Sequence, residues 1–554
     1  MFVKYVRVKN YRSFKDVEIF FQEHANYLVG ENSIGKSSFL RLLSLLSSGI
    51  GLDETDYADP QQPVVIVAEI VMHEEGEKFL DEKEEKLFQV RLRLEKRIEE
   101  IFPRLYNDID GAELPLDIIR RFRYIFHSSI MPEQHIFSAH IHKLLERELQ
   151  DLCGQSNDFV MPKEMWSYAQ QQELYGNYDA SYYMNILYLS KLLSRQDRPL
   201  ADNMKFISIV ALKIIAQIYV MYHSRAVPFE HSLIRTKAGK VYLPIVIAID
   251  EPEIHLQPYM QRSILTYYKQ LLLNEDTTFV QLLQKLYGID GLSGQLFIVT
   301  HSTDSLVDDY RNIIRFYRDN ENNVCAACGV TFRFSEEIQK HLIMHFPEIK
   351  EALYARSVII VEGETEYGCF NLFGTSLGIR FDYYGICLIN ARGESSISKI
   401  KRLLEFFKIP VVALYDADVR EFRMQNDPTV FFTDEICFEM DVVKSMLGHD
   451  RRRLLNEIIF NVAGMPGRAT GDMLRKACHK LNLDRHEYPP CNLASVQPRI
   501  DNSLYVYYFA WLYSNKGVIL GRLIGESLLK EEIPPSFVRV IKAAGMMAKV
   551  DAKY

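Results

Sequence analysis

Cysteine is scarce in this chain: eight occur in 554 residues, too few and too irregularly spaced for a disulfide framework. Glycine and proline together number 47, which excludes a collagen-like chain and leaves little for long linkers. No stretch offers the about 20 uninterrupted apolar residues that a membrane helix needs. The most apolar run, residues 206–222, is interrupted by Lys213 and Gln217 and reads as a buried core helix. The opening MFVKYVRVKNYRSF has no apolar h-region, so a secretion signal is not expected and the cytoplasm is the expected compartment. A positive excess is also missing. Lys and Arg total 65 against 73 Asp and Glu, a net charge of −8, which excludes a uniformly basic nucleic-acid coat but not one basic groove.

What is present is an ordinary globular composition, 48% hydrophobic and 25% charged. The length predicts three or four domains at about 100–200 residues each. Charge is unevenly spread: residues 451–554 hold 16 Lys and Arg against 9 Asp and Glu, leaving the first 450 residues at −15. That basic segment suits an anionic partner, or a solvated face.

The pattern along the chain is α/β. Val3 to Lys9 alternates, with one slip at Tyr5–Val6, and predicts a strand. Strands follow at 17–21 and 25–29, then a glycine loop, then a helix from Ser37. VVIVAEIV (64–71) is another strand, and 77–101 reads as a solvated helix or strand face. Residues 104–200 read as mostly helical, and 204–222 as a long apolar helix. IVIAID (245–250) and LFIVTHS (296–302) are apolar runs of the kind found in buried parallel strands, and a hairpin is expected at 312–332 with its turn at 319–323. After a helix at 335–354 a second set of buried strands appears at 357–363, 386–390 and 411–418, placing a boundary near residue 350. The expected organisation is one α/β domain from 1–100 and 201–335, a helical insertion expected to dimerise at 101–200, a second α/β core at 350–445, and a helical part at 446–554.

Gly30-Glu31-Asn32-Ser33-Ile34-Gly35-Lys36-Ser37 matches G-x-x-x-x-G-K-[ST] between a strand and a helix. Its backbone amides can cradle phosphates, Lys36 can reach the β/γ-phosphates, and Ser37 can hold Mg²⁺. The helix N-terminus favours the same anion. The expected ATP set is Gly30, Asn32, Gly35, Lys36, Ser37 and Ser38, with Asp250 holding Mg²⁺, Glu251 polarising the attacking water and His301 near the γ-phosphate.

A second constellation follows apolar strands: Glu362-Gly363-Glu364-Thr365-Glu366, then Asp416-Ala417-Asp418. Acids at the ends of adjacent parallel strands converge on one edge of the sheet. Held together they repel, unless a hard divalent cation such as Mg²⁺ or Mn²⁺ neutralises them. Two such ions could drive phosphodiester cleavage.

Cys325-x2-Cys328-x12-His341-x3-His345 has zinc-finger spacing and would suit tetrahedral Zn²⁺. The competing reading puts the two cysteines on opposite faces of a hairpin strand and the two histidines on an ordinary helix.

NYRSF (10–14), GENSIGKSS (30–38), IDEPEIHLQP (249–258) and VTHST (299–303) resemble the RecF- and SMC-type branch of ABC ATPases. That resemblance implies nucleotide sandwiched between two heads, hence a homo-oligomer. RPLADNMKFISIVAL (198–212), where the signature loop belongs, lacks an LSGGQ-like sequence, which leaves ATP binding or sensing open beside hydrolysis. The later acids resemble a Toprim domain, with Glu362 as first acid, Asp416 and Asp418 as the D-x-D pair and Glu366 as the extra acid of nuclease versions.

The combination resembles the overcoming lysogenization defect (OLD) family of endonucleases. It implies further acids, Glu435 and Glu439, and a lysine, Lys516, that assists at the phosphate. Length and layout are also similar to the nuclease subunit of the Gabija anti-phage system, which implies a UvrD-like helicase partner. The resulting expectation is an ATP-responsive, metal-dependent endonuclease of double-stranded DNA, with no membrane partner, in prokaryotic defence. A RecF-like DNA clamp without cleavage is the alternative, and a topoisomerase or primase a third reading that requires a nucleophilic tyrosine.

Overall fold

The computed structural model describes residues 2–48, 52–71, 89–120, 122–127, 139–153, 180–193, 202–224, 228–236, 238–254, 256–422, 427–497 and 503–550. The chain separates into two compact units, Met1–Phe332 and Arg333–Tyr554. The helix expected ahead of a boundary near 350 therefore belongs to the second unit.

In the first unit, β1 (Phe2–Tyr11), β2 (Phe14–Phe20), β4 (Val64–Val71), β5 (Gln89–Lys96), β6 (Arg104–Asn107) and β7 (Glu113–Leu114) form an antiparallel sheet of order β2-β1-β4-β5-β6-β7. The slip in the β1 alternation has a structural counterpart: the β1–β4 register shifts between Val3 and Tyr5, and Tyr5 and Val6 are both buried. A second sheet has the order β13-β12-β3-β11-β10-β8, with β9 (Ile234–Arg235) paired to β10. Its strands β3 (Ala25–Gly30), β8 (Arg123–His127), β10 (Val241–Asp250), β11 (Gly291–Val299) and β12 (Ile313–Arg318) run parallel, and β13 (Val324–Cys328) closes the hairpin. The hairpin turn is fixed by Asp319, whose Oδ1 accepts the amides of Glu321 and Asn323.

Helix α1 (Lys36–Ser48) buries Phe39, Leu40, Leu42 and Leu43 in a core shared by both sheets. α2 (Ala139–Cys153) and α3 (Ala180–Leu193) pack against each other, and α4 (Asp202–Tyr222) against α3. α5 (Pro258–Leu272) and α6 (Thr277–Tyr287) connect β10 to β11. α4 is the apolar run noted above; Ile209–Ile218 is almost wholly buried, and no helix among the described residues is long and apolar enough to cross a membrane.

Two expectations change. Residues 104–107, 113–114 and 123–127 are strands rather than the start of a helical insertion, with Tyr124, Ile125 and Phe126 in the edge strand β8 beside β10. In the charged segment 77–101, residues 89–96 are the strand β5, and 77–88 lie outside the described residues. So do 128–138, 154–179 and 194–201, which include the start of the segment where a signature loop was sought.

The second unit holds a parallel sheet of order β15-β14-β16-β17, from β14 (Ser357–Val361), β15 (Ile386–Asn390), β16 (Val411–Tyr415) and β17 (Val430–Phe432). It is preceded by α7 (Glu336–Ile349) and interleaved with α8 (Glu364–Ser376) and α9 (Glu394–Phe406). Then come α10 (Phe438–Gly448), α11 (Arg452–Ala463), α12 (Gly471–Leu481), α13 (Ser503–Ser514), α14 (Val518–Ser527) and α15 (Pro535–Val550). One continuous core runs from Ile359 and Val361 of β14 through Phe370, Phe438 and Phe509 to Phe537. Its aromatic centre is a stack of Phe438 on Phe537, 4.7 Å between ring centres.

Candidate functional site

At the P-loop, Lys36 is buried, and its Nζ donates to the carbonyls of Gly30 (2.9 Å) and Glu31 (2.7 Å). Burial lowers its pKa to about 8 against the opposing pull of Asp250, Glu251 and Glu31. Glycine is required at Gly35: φ is +115°, and a Cβ would stand 2.8 Å from Ser13 Oγ and 3.0 Å from Phe14 Cζ. Asn32 and Ser37 are exposed and Ser38 half-buried. Asp250 ends β10, hydrogen-bonded to Ser37, and burial raises its pKa. Its Oδ1 is buried without a hydrogen-bond partner, which fits a site for the hydrated Mg²⁺ of a nucleotide. Glu251 turns the chain at φ +52°, and its Oε1 lies 3.9 Å from His301 Nε2.

The sequence reading missed three residues here. Glu253 accepts from Thr300 Oγ1 (2.8 Å) and from the His301 amide (2.6 Å), fixing the turn that carries His301. Gln261 Oε1 accepts from Ser302 (2.7 Å) and Ser305 (3.2 Å) in the same loop. Arg12, in NYRSF, pairs with the fully buried Asp56 at 2.6 Å and donates to Ser38 at 3.1 Å. Neither spacing nor composition signals such roles, because each is a contact across 26 to 48 residues.

In the second unit, β15 and β16 flank β14, so the chain crosses over between β14 and β16, and Glu362 and Asp416 stand at that switch point. Gly393 N donates to the Glu362 carbonyl (3.0 Å) and Ala391 N to that of Val361 (2.9 Å), so the 390–393 loop holds the first acid's backbone. Glu366, one turn into α8, is buried; its pKa rises to about 8 through desolvation, Glu439 and Asp416. Asp416, buried and accepting from Phe438 N at 3.1 Å, is raised to about 8 by desolvation, Glu362 and Glu439. Desolvation likewise raises Glu362. Glu439 is fully buried, and neither carboxylate oxygen has a partner in hydrogen-bond geometry, although Lys516 Nζ lies 3.0 Å from Oε1. Lys516 also lies over the Tyr513 ring, 4.9 Å from its centre. Desolvation works against its charge and is outweighed by Glu439, Glu366 and Asp416, which hold it protonated.

Lys516 is more than 140 residues from Glu366 in sequence. It arrives through a close crossing of α8 and α14 in which a Cβ on Gly368 would stand 2.4 Å from the Val518 carbonyl, and one on Gly521 2.0 Å from that of Thr365. Thr365 Oγ1 accepts the Gly517 amide at 3.1 Å. Lys480, which the sequence reading passed over, pairs with Asp418.

The acids fit a hard divalent cation by chemistry, since Glu439 is a fully buried carboxylate with Lys516 beside it and its acidic neighbours are pushed toward the neutral form. As the side chains stand, with lysines on two of the carboxylates, no three His, Cys, Asp or Glu among the described residues converge tightly enough to hold a metal ion. Glu435 does not join the group; it pairs with Lys444 at 2.7 Å. Asp441 is structural, accepting from the amides of Asp434 and Glu435 and from Ser536 Oγ.

The zinc expectation is corrected on its cysteines. Tyr317 pairs with Cys325 and Ile314 with Cys328 across the hairpin, and a three-residue offset puts the two thiols on opposite faces of β13. Cys328 is buried, with Phe20 N donating to its Sγ, whereas Cys325 turns toward Asp319. The side chains of His341 and His345 lie outside the described residues.

Residues 1–107 match the model of the AAA ATPase domain, and residues 353–418 that of the overcoming lysogenization defect protein-like TOPRIM domain. No curated protein matches the chain. Among solved structures, the C-terminal region of the Burkholderia pseudomallei OLD protein is similar at 14% identity and TM-score 0.25, over 35% of this chain and 99% of that one. The Smc head domain from Pyrococcus furiosus, bound to the C-terminal domain of ScpA, is similar at 11% identity and TM-score 0.29, over 62% and 99%. RecF of the RecFOR pathway is similar at 13% and 0.27, over 58% and 97%. The two matched domain types imply use of nucleotide and of divalent metal, and the chain joins an AAA-type ATPase domain to an OLD-like Toprim domain.

Proposed function

We propose that the protein is a divalent-metal-dependent DNA endonuclease whose ATPase domain binds ATP and regulates cleavage. The observation that carries the reading is the grouping of Glu362, Glu366, Asp416 and Glu439 at the β14/β16 switch point with Lys516 beside them. Mg²⁺ or Mn²⁺, when bound, would supply a nucleophilic water and neutralise charge on the scissile phosphate. Glu362, Asp416, Asp418, Glu366 and Glu439 would hold the cation. Lys516, kept protonated by those acids, would stabilise the phosphate oxygens as charge develops. The net-positive segment 451–554 suits the duplex backbone.

In the ATPase domain, Lys36 would exchange its two carbonyl partners for phosphate oxygens, Ser37 and Asp250 would hold Mg²⁺, and Glu251 with His301 would orient water. The absence of an LSGGQ-like sequence favours sensing over rapid turnover. Pairing of two ATPase domains, attack on phage DNA and a UvrD-like helicase partner belong to the same proposal.

The test is cleavage of plasmid and phage DNA with Mg²⁺ or Mn²⁺, with and without ATP, in wild type, Glu362→Ala and Lys36→Ala. Metal-dependent cleavage that Glu362→Ala abolishes supports the nuclease. Unchanged cleavage in Glu362→Ala sinks it.

A further inference from the structure

Lys480 stands in the last turn of α12 and pairs with the outer acid of the D-x-D pair, Asp418. Both are partly buried, with side-chain exposures of 21% and 32%. Lys516 makes the corresponding contact with Glu439. Two of the carboxylates thus carry a lysine as internal counter-ion. An ammonium is a donor only, and a carboxylate that shares its charge with a divalent cation attracts it less. It then needs another anion. One turn earlier, Lys476 lies on the same face of α12 and is exposed, as are Arg475 and His479. This gives a basic stripe that begins at Asp418 and runs outward along the helix.

We propose that Lys480 is a DNA-phosphate contact, held on Asp418 until a divalent cation takes that carboxylate, and that Lys476 extends the contact along the strand backbone. The inference rests on the nuclease reading and adds a handover: the same event that fills the metal site frees a cation for the substrate. Lys480 competes with metal for Asp418 and cooperates with metal in binding DNA. A purely structural ion pair would compete with metal but would add nothing to DNA binding.

The experiment uses the full chain and the Lys480→Met variant, which keeps the side chain's length and apolar stem. Mn²⁺ binding is measured by calorimetry without DNA. Binding of a short blunt duplex is measured against salt, with Ca²⁺ and without divalent ion. In Lys480→Met, Mn²⁺ affinity should rise about two- to fivefold, the effect of removing a part-exposed ion pair worth up to about 1 kcal/mol. With Ca²⁺ the duplex should bind more weakly and the log–log salt slope should shrink by about 1. Without divalent ion the duplex affinity should not change. Lys480→Arg should track wild type in both measurements.

Unchanged or weaker Mn²⁺ binding, or an unchanged salt slope with Ca²⁺, overturns the handover. If Lys480→Met does not fold, Lys476→Met decides: a slope reduced by about 1 supports the stripe, and an unchanged slope overturns it. Cleavage by Glu362→Ala, read in parallel, tests the nuclease reading separately. Retained cleavage there sinks that reading, while the Mn²⁺ and salt curves still decide on Lys480.

Discussion

Lys36 and Lys516 are held in opposite ways. Lys36 is buried and tied to carbonyls of its own loop, five and six residues back. Both of its hydrogen-bond partners lie within one strand–loop–helix, and burial lowers its pKa to about 8. Lys516 is half-exposed and held by carboxylates from other segments, which fix its proton firmly. Neutral partners can be exchanged for a nucleotide's phosphates with little reorganisation of charge. Carboxylate partners must be neutralised by something else before the lysine can act. On the proposed function, the first site would bind reversibly and the second would act only once a cation is present.

The sharpest way to break this comparison is to remove one acid of the second site. Asp416→Asn should reduce DNA cleavage by more than about a hundredfold while leaving nucleotide affinity at the wild-type value. Equal loss of ATP binding, read by fluorescent-nucleotide titration, would mean the two sites are not independent in this sense. Lys36→Ala should do the reverse. Loss of charge-assisted bonds of about 1.5–3 kcal/mol predicts about 10- to 100-fold weaker ATP binding, with Mn²⁺ affinity of the second unit unaltered.

A smaller effect is expected at the helix crossing. Gly521→Ala puts a methyl against the Thr365 carbonyl and should cost about 1–3 kcal/mol on denaturant unfolding of the second unit. It should lower both cleavage and metal affinity, because the collision falls between the residue before Glu366 and the helix that follows Lys516. The smallest effect concerns pH. Asp427 is desolvated, which raises its pKa, yet the hydrogen bonds from Lys401 and Thr429 prevail and lower it to about 2. A depressed carboxyl pKa stabilises the fold above its unfolded value, and that contribution fades as pH falls from the ordinary 3.8 through about 2. Wild type should therefore exceed Asp427→Asn in melting temperature at neutral pH, and the difference should shrink across that acid window.

The same contrast explains what the sequence could reveal. The P-loop is legible because loop, lysine and hydroxyl are contiguous, and their backbone geometry is forced by Gly35. Buried strands carrying Glu362 and Asp416 are legible because an apolar run that stops at an acid is rare by chance. Glu439 is reachable only through family resemblance, and Glu435, in the loop ahead of the helix that carries Glu439, pairs instead with Lys444. Glu253, Gln261 and Lys480 act through contacts between segments 41 to 62 residues apart, for which no local pattern exists. The edge strand β8 reads as helix in the sequence because a run as short as Tyr124-Ile125-Phe126 fits either period.

The glycine crossing of α8 and α14 has a further consequence. The segment that carries Lys516 enters where α8 and α14 touch backbone to backbone, with the Thr365 hydroxyl holding the Gly517 amide. Such a joint has no slack, so any expansion of the second unit's core would draw Lys516 off the acids before the fold itself gives way. On the proposed function, cleavage should fade on heating before the fold melts, and the protein would carry its own fuse: a partly loosened molecule could still hold DNA and metal while being unable to cut.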